Sequence, residues 1–192
     1  MSEEFNEVII GTHNSMSFLK PKHWLMRPIN WLFAQCQNNK TAVLNCECMD
    51  IRVYWDKKKG WSFAHGLVSY EFDDEYRNTI YQTISTLKKS GVCYFRIILE
   101  RDGNEEGFAG LCRRLEHKYY GENVTFLGGY RKSDWKQLYD FGTNHIPVHQ
   151  WVGSMAADAR WYERFIPRLY AKRMNKHNLK NAKTGINLYD FI

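Results

Sequence analysis

Short apolar runs alternate with amphipathic stretches along almost the whole chain, and this alternation is the feature that most limits what it can fold into. VCYFRIILE (92–100) is apolar at both odd and even positions, as in a strand with both faces covered. Just before it, DDEYRNTIYQTISTLKK (73–89) begins with acidic residues and carries Tyr76, Ile80, Ile84 and Leu87 at helical spacing. It ends in lysines and stops at Gly91, as a helix with a complemented dipole should. The same reading gives strands at 7–13, 45–55, 61–68, 124–131, 146–153 and 185–192, and helices at 106–120, 133–141 and 160–176, the last broken at Pro167. Strands separated by helices imply a mainly parallel sheet with helices over it. Seven strands are one fewer than a full β/α barrel contains. The expected architecture is therefore α/β, a compact and incomplete TIM-like barrel, with an open doubly wound sheet as the other arrangement the pattern admits.

One domain over residues 1–192 is expected, because a chain of 192 residues, 44% hydrophobic, can bury one sizeable core. There is no repeat or Pro/Gly/Ser-rich linker to mark a boundary. The start, MSEEFNEVII, is acidic where a secretory signal would be basic, and no apolar run approaches the ~20 residues that span a bilayer. A cytoplasmic protein is expected, with peripheral membrane contact as an option. Five cysteines cannot all pair, and their apolar surroundings suggest reduced thiols. Cys46 and Cys48 form a lone C-x-C, so no zinc site is expected. The Gly pairs lack the spacing and lysine of a nucleotide-binding loop.

A formal charge of +6 favours anionic partners. Much of it lies between Arg160 and Lys183, where a solvated helix face accounts for it. Basic and aromatic residues are not interleaved on one stripe, so nucleic acid is not expected as a partner.

In parallel β/α proteins ligands sit at strand C-termini. Strand one ends in Gly11-Thr12-His13-Asn14-Ser15, strand two carries Asp50 and Arg52, strand three ends in His65, and the 92–100 strand ends in Glu100-Arg101-Asp102. Asp190 lies in the last strand. Any one of these has a structural explanation as an ion pair or a cap. Acids, bases and a cation converging at one mouth are harder to explain that way, because such groups lose solvation unless they are paired or used.

GTHNS, then MDIRVYW, FAHG, RIILE and NLYDF, in that order, resembles the signature of the phosphatidylinositol-specific phospholipase C superfamily, of the X-domain and bacterial types, over about 8–192. The resemblance implies a phosphodiesterase. His13 takes the place of the general base, Asp190 that of the carboxylate orienting it, and His65 that of the general acid. Arg52 stands where bacterial members place an arginine against the phosphate. Histidine, with an unperturbed pKa of ~6.5, suits both proton transfers. No cofactor is expected. The alternative is a calcium or magnesium ion held by Asn14, Asp50 and Glu100, whose oxygen donors match what those cations require. Asn14 and Glu100 depart from the Asp and Lys usual in bacterial members and are also candidates for substrate binding, with Arg131 and His149 as further mouth residues.

The implied substrate is a phospholipid or a related small phosphodiester. Two other readings remain: a metal-dependent glycerophosphodiester phosphodiesterase, against which GTHNS argues, and a catalytically silent barrel serving as a binding or adaptor module. Between the first two strands, HWLMRPINWLFAQC (23–36) mixes tryptophans with basic residues, which suits a lipid interface. The preferred expectation is that its aromatics pack on the barrel wall.

Overall fold

A computed structural model of the chain describes residues 5–72 and 79–192. In chain order its elements are β1 (Val8–Thr12), α1 (Arg27–Ile29), α2 (Lys40–Leu44), β2 (Cys48–Asp56), β3 (Gly60–His65), β4 (Val68–Ser69), α3 (Ile80–Lys89), β5 (Tyr94–Leu99), α4 (Glu105–Lys118), β6 (Thr125–Arg131), β7 (Val148–Trp151), α5 (Pro167–Lys180) and β8 (Gly185–Tyr189). Six strands run parallel in the order β7-β8-β1-β2-β5-β6. Among the described residues β6 and β7 do not pair, so the barrel is incomplete. The stretch 61–68, expected as one strand, divides into β3 and β4. β3 runs antiparallel to β2 and β4 antiparallel to β3, forming a flap at the end of β2, which raises the strand number to eight.

Strand alternation sorts the side chains into two cores. Met49, Ile51 and Val53 of β2 and Phe95, Ile97 and Leu99 of β5 face outward against Ile84 and Leu87 of α3 and Phe108, Leu111 and Leu115 of α4, all fully buried. Each such side chain contributes roughly 1.5–3 kcal/mol on leaving water. The intervening positions face inward. Ile9, Cys48, Leu127, Ile186 and Leu188 form an apolar floor, and two or four residues further along the same chain segments come Asp50, Arg52, His13 and Asp190. A hydrophobic plug thus closes one end of the barrel and a charged layer fills the other.

Helix boundaries follow local chemistry. The Thr79 side chain accepts from the Gln82 backbone N–H and caps α3; the acidic residues expected to begin this helix, at 73–78, lie outside the described residues. Pro167 opens α5 after a 3₁₀ turn at Trp161–Arg164, so the expected break is present. The short helix expected at 133–141 does not form. The free edge of β6 needs hydrogen-bond partners, and this stretch supplies them: Leu138 N–H donates to the Gly129 carbonyl (2.8 Å) and Arg131 N–H to that of Lys136 (2.8 Å). Gly129 makes room for it. Its φ is +75°, and a Cβ there would stand 2.0 Å from the Tyr139 carbonyl oxygen.

The segment between β1 and β2 also departs from expectation. It forms short 3₁₀, α and π turns in which Asn30 and Ala34 are buried. Its large apolar side chains are outside: Trp24 is 71% exposed, Trp31 53% and Phe33 49%, with Leu25 and Ile29 exposed beside them. The turns are too short to present a continuous apolar face to the wall. All five cysteines are free thiols, and among the described residues no helix is long and apolar enough to cross a membrane.

Candidate active site

A cavity of about 410 Å³ opens at the C-terminal end of the barrel, with His13, Arg52, His65, Lys132, Trp135 and Asp190 on its walls. His13 and Asp190 each lie just past the end of a parallel strand, β1 and β8, whose register places Thr12 opposite Tyr189. The His13 backbone N–H continues that ladder to the Tyr189 carbonyl at 2.9 Å, so the next residues, His13 and Asp190, face each other by construction. His65 arrives from the flap, at the end of β3. The two imidazoles meet edge to face with ring centroids 6.1 Å apart.

The hydrogen bonds fix how each ring is protonated. Arg52 Nη2 lies 2.7 Å from His13 Nε2, and because a guanidinium only donates, Nε2 must accept. The proton of neutral His13 therefore sits on Nδ1, which donates to Asp190 Oδ1 at 2.9 Å. His65 Nδ1 is 2.7 Å from the Ala34 carbonyl oxygen, which only accepts, so Nδ1 carries the hydrogen and Nε2 is left with a lone pair. Loss of solvent and the nearby Arg52 cation lower the His65 pKa to about 3. His65 is neutral in the resting site at neutral pH.

Arg52 is the hub of the charged layer. Besides His13 it reaches Asp50 Oδ2 through Nε (2.9 Å) and Glu100 Oε2 through Nη1 (3.3 Å), and it is 3% exposed. Asp50 accepts further from the Asn14 backbone N–H (3.1 Å). Burial pushes its carboxyl up, but Arg52 and Arg96 outweigh that and hold it well below the ordinary carboxylate range. Glu100 is likewise lowered against its own burial, by Arg52, His65 and Lys132, with Lys132 Nζ at 2.6 Å and the Gly66 N–H at 2.7 Å. The guanidinium thus bridges the two carboxylates named as calcium or magnesium ligands. The Asn14 amide donates to the Ala34 carbonyl (3.4 Å). With a fixed cation already bridging its carboxylates, this donor set does not fit a divalent ion.

His13, His65, Arg52, Asp50, Asp190, Asn14 and Glu100 are thus brought to one end of the barrel, four lining the cavity and three packed behind them. Arg131 and His149 are not with them. Arg131 joins a surface ion cluster with Asp134 (2.5 Å) and Glu105 (3.4 Å), and His149 Nε2 donates to the Thr184 carbonyl (3.0 Å) at the separate edge formed by β7. Sequence reasoning missed Arg96, Lys132, Trp135 and Cys36. Arg96 had a signal: it is the only charged residue within YFRIIL, and in a covered strand a charge must face a polar interior. It stands 3.6 Å from Asp50 and 5.4 Å from the Trp135 ring centroid.

No protein-family model matches the chain, and no curated protein matches it in sequence. Solved structures do match in fold. The phosphatidylinositol-specific phospholipase C from Listeria monocytogenes superposes with a TM-score of 0.57 at 15% identity, over 99% of this chain and 92% of that one. A mutant of the phosphatidylinositol-specific phospholipase C from Staphylococcus aureus gives a TM-score of 0.51 at 12% identity, over 98% and 88%. The chain is similar to these bacterial phospholipases in fold along nearly its whole length.

Proposed function

We propose that the chain is a metal-independent phosphodiesterase of the phosphatidylinositol-specific phospholipase C kind, acting on a phospholipid or a related small phosphodiester. The observation that carries this reading is the pair of imidazoles across one cavity, each with its Nδ1–H tied to an acceptor and a lone pair on Nε2, which at His13 accepts from Arg52 in the resting site. His13 Nε2 accepts the proton of a substrate hydroxyl beside the phosphate, while Asp190 stabilises the imidazolium that forms. Oxygen attacks phosphorus in line, and the leaving alkoxide takes a proton from His65. Arg52, held by Asp50 and Glu100, shifts its Nη2 contact from His13 to a non-bridging oxygen, a planar donor suited to that charge. The resting His65 is neutral, so the acid form needs the anionic substrate, whose charge offsets that of Arg52 and raises the imidazole pKa. A cyclic phosphodiester is the first product.

The rim supports a lipid surface as the place of action. Phe33, Met155 and Phe165 line the mouth and are exposed, and Trp24, Leu25 and Trp161, within ten residues of Phe33 or Phe165 in the chain, are exposed as well. Arg164 lines the mouth beside Phe165, and Arg27 and Arg160 are neighbours in sequence of the exposed Trp24, Leu25 and Trp161, a mixture suited to the headgroup region of an anionic membrane. A binding module on the same fold would need none of the proton-transfer geometry.

Turnover of phosphatidylinositol in vesicles and of a chromogenic phosphodiester, with chelator present, tests the proposal. His13→Ala and His65→Ala are expected to lose about 10²-fold or more. Equal rates in wild type and both variants would remove the enzymatic reading in favour of the silent module, and activity abolished by chelator and restored by calcium would remove metal independence. Trp24→Ala with Leu25→Ala should reduce sedimentation with anionic vesicles while leaving hydrolysis of the soluble substrate intact.

A further inference from the structure

One group on the cavity wall has no part in the proposed reaction. Cys36 is 1% exposed, a free thiol, and its Sγ faces the site from the segment between β1 and β2. Its backbone is held at both ends: its N–H donates to Ser17 Oγ (3.0 Å), and its carbonyl accepts from the Phe191 N–H (2.6 Å), the residue after Asp190. The sulfur is thereby fixed beside the His13–Asp190 pair. One ligand atom each from His13, Cys36 and Asp190 lie within 4.8 Å of one another, and all three residues are buried.

We propose that Cys36, His13 and Asp190 form a binding site for a soft divalent transition metal, with zinc as its principal occupant. An imidazole nitrogen, a thiolate and a carboxylate are the ligands zinc prefers, and sulfur disfavours calcium and magnesium. Metal bonds of about 2.0–2.3 Å require ligand atoms roughly 3.3–3.7 Å apart in a tetrahedron, so the 4.8 Å limit asks for a contraction of at most about 1.1–1.5 Å, and the His13–Asp190 pair, 2.9 Å apart, opens by about 0.4 Å. Three protein ligands leave a fourth position, which opens into the cavity, as in zinc sites that retain water or a substrate atom. The lone C-x-C of Cys46 and Cys48 gave no hint of this, because the three ligands come from positions 13, 36 and 190 and only the closure of β1 onto β8 unites them.

Binding conserves charge and protons in a defined way. The Cys36 thiol releases its proton to solvent, and zinc takes the place of the hydrogen between His13 Nδ1 and Asp190. The ring's own proton moves from Nδ1 to Nε2. Nε2 then cannot accept from Arg52, which remains held by Asp50 and Glu100 and loses its contact with His13. Thiolate and carboxylate together neutralise the ion. Because the Cys36 thiol must give up its proton to bind, affinity should rise with pH through neutrality. If the phosphodiesterase reading holds, the zinc-loaded form is silent, because Nε2 no longer has a free lone pair. The site itself does not depend on that reading.

Titration of the reduced, metal-free chain with cobalt(II), followed by displacement with zinc, tests the site without any turnover measurement. One equivalent of cobalt should produce a thiolate-to-metal charge-transfer band that zinc removes. Cys36→Ser should abolish the band and weaken zinc by more than 10-fold, since removing even a residue behind a ligand costs about 10–100-fold. Asp190→Asn should weaken binding but keep the band. X-ray absorption of the zinc-loaded wild type, which needs no variant to fold, should show one sulfur at about 2.3 Å with nitrogen and oxygen at about 2.0–2.2 Å. A band that survives in Cys36→Ser, or zinc-loaded wild type without a sulfur neighbour, overturns the proposal.

Discussion

Replacing Arg52 by methionine tests the charged layer most directly, because one side chain holds three others. Its guanidinium is 3% exposed and contacts Asp50 at 2.9 Å, Glu100 at 3.3 Å and His13 at 2.7 Å. Breaking a buried pair by removing one partner typically costs about 3–5 kcal/mol, because the other charge stays buried without compensation. The two carboxylates are not equally orphaned. Glu100 keeps Lys132 and the Gly66 N–H, whereas Asp50 keeps the Asn14 N–H and Arg96, whose Nη1 is 3.6 Å away and outside hydrogen-bond reach. A loss of about 3 kcal/mol at pH 7 is therefore expected. With a urea m-value of about 2 kcal/mol/M, the unfolding midpoint should fall by about 1.5 M. The sign of the pH dependence is a second check. In the wild type Asp50 has a lowered folded pKa and stabilises above its unfolded pKa of about 3.9. Without Arg52, burial pushes that pKa up, so the folded variant gains protons and its deficit should narrow as pH falls from 7 towards 4. Urea unfolding at a series of pH values reads both effects. A midpoint within 0.3 M of wild type, roughly 0.6 kcal/mol, or a deficit independent of pH, would refute the picture of Arg52 as the counter-ion of buried carboxylates.

Three further outcomes are expected. His65, with a folded pKa near 3 against about 6.5 when unfolded, keeps the native state deprotonated, so its contribution is complete above pH 6.5 and lost as pH falls towards 3; thermal melts of His65→Gln should show a shallower acid-side decline than wild type. Gly129→Ala places a Cβ against the Tyr139 carbonyl at a positive φ and should destabilise by more than about 1–3 kcal/mol, with faster amide exchange in the 132–141 stretch. Leu111→Ala empties a fully buried position between α4 and the sheet and should cost about 2–5 kcal/mol by urea unfolding.

The parts of the fold that were legible from sequence are those where one local signal decides the outcome. The segment 106–120 carries an apolar stripe and ends at Gly121, whose φ is +75°, and α4 forms there at Glu105–Lys118, starting one residue earlier. Pro167 fixes the start of α5 for the same reason. Segments whose structure depends on what lies beside them were not legible. Residues 133–141 have helical spacing but are drawn to the unpaired edge of β6, where backbone hydrogen bonds outweigh propensity. Tryptophans 24 and 31 look like core residues by type and are exposed because short turns bury only Asn30 and Ala34.

The candidate site divides along the same line. Strand alternation accounts for His13, Asp50, Arg52 and Asp190 sharing one side of the sheet, since period-two spacing fixes the face once the floor of Ile9, Cys48, Ile186 and Leu188 is known. The same rule applied to β5 places Arg96 and Glu100 inward, Glu100 as a carboxylate that holds Arg52, and Arg96 beside Asp50, which holds Arg52 too. Period-two spacing does not place a loop residue such as Cys36, which comes to the site through hydrogen bonds to Ser17 and Phe191. A charged layer of this kind is stable only as a complete set, because each member's desolvation is offset by neighbours on other strands. Arginine at position 52 is therefore tied physically to aspartate at 50 and glutamate at 100. Glu100→Lys would put a further cation against Arg52 and Lys132 in place of the carboxylate both of them contact, so glutamate at position 100 forms one unit with these two cations and cannot be replaced by a lysine alone.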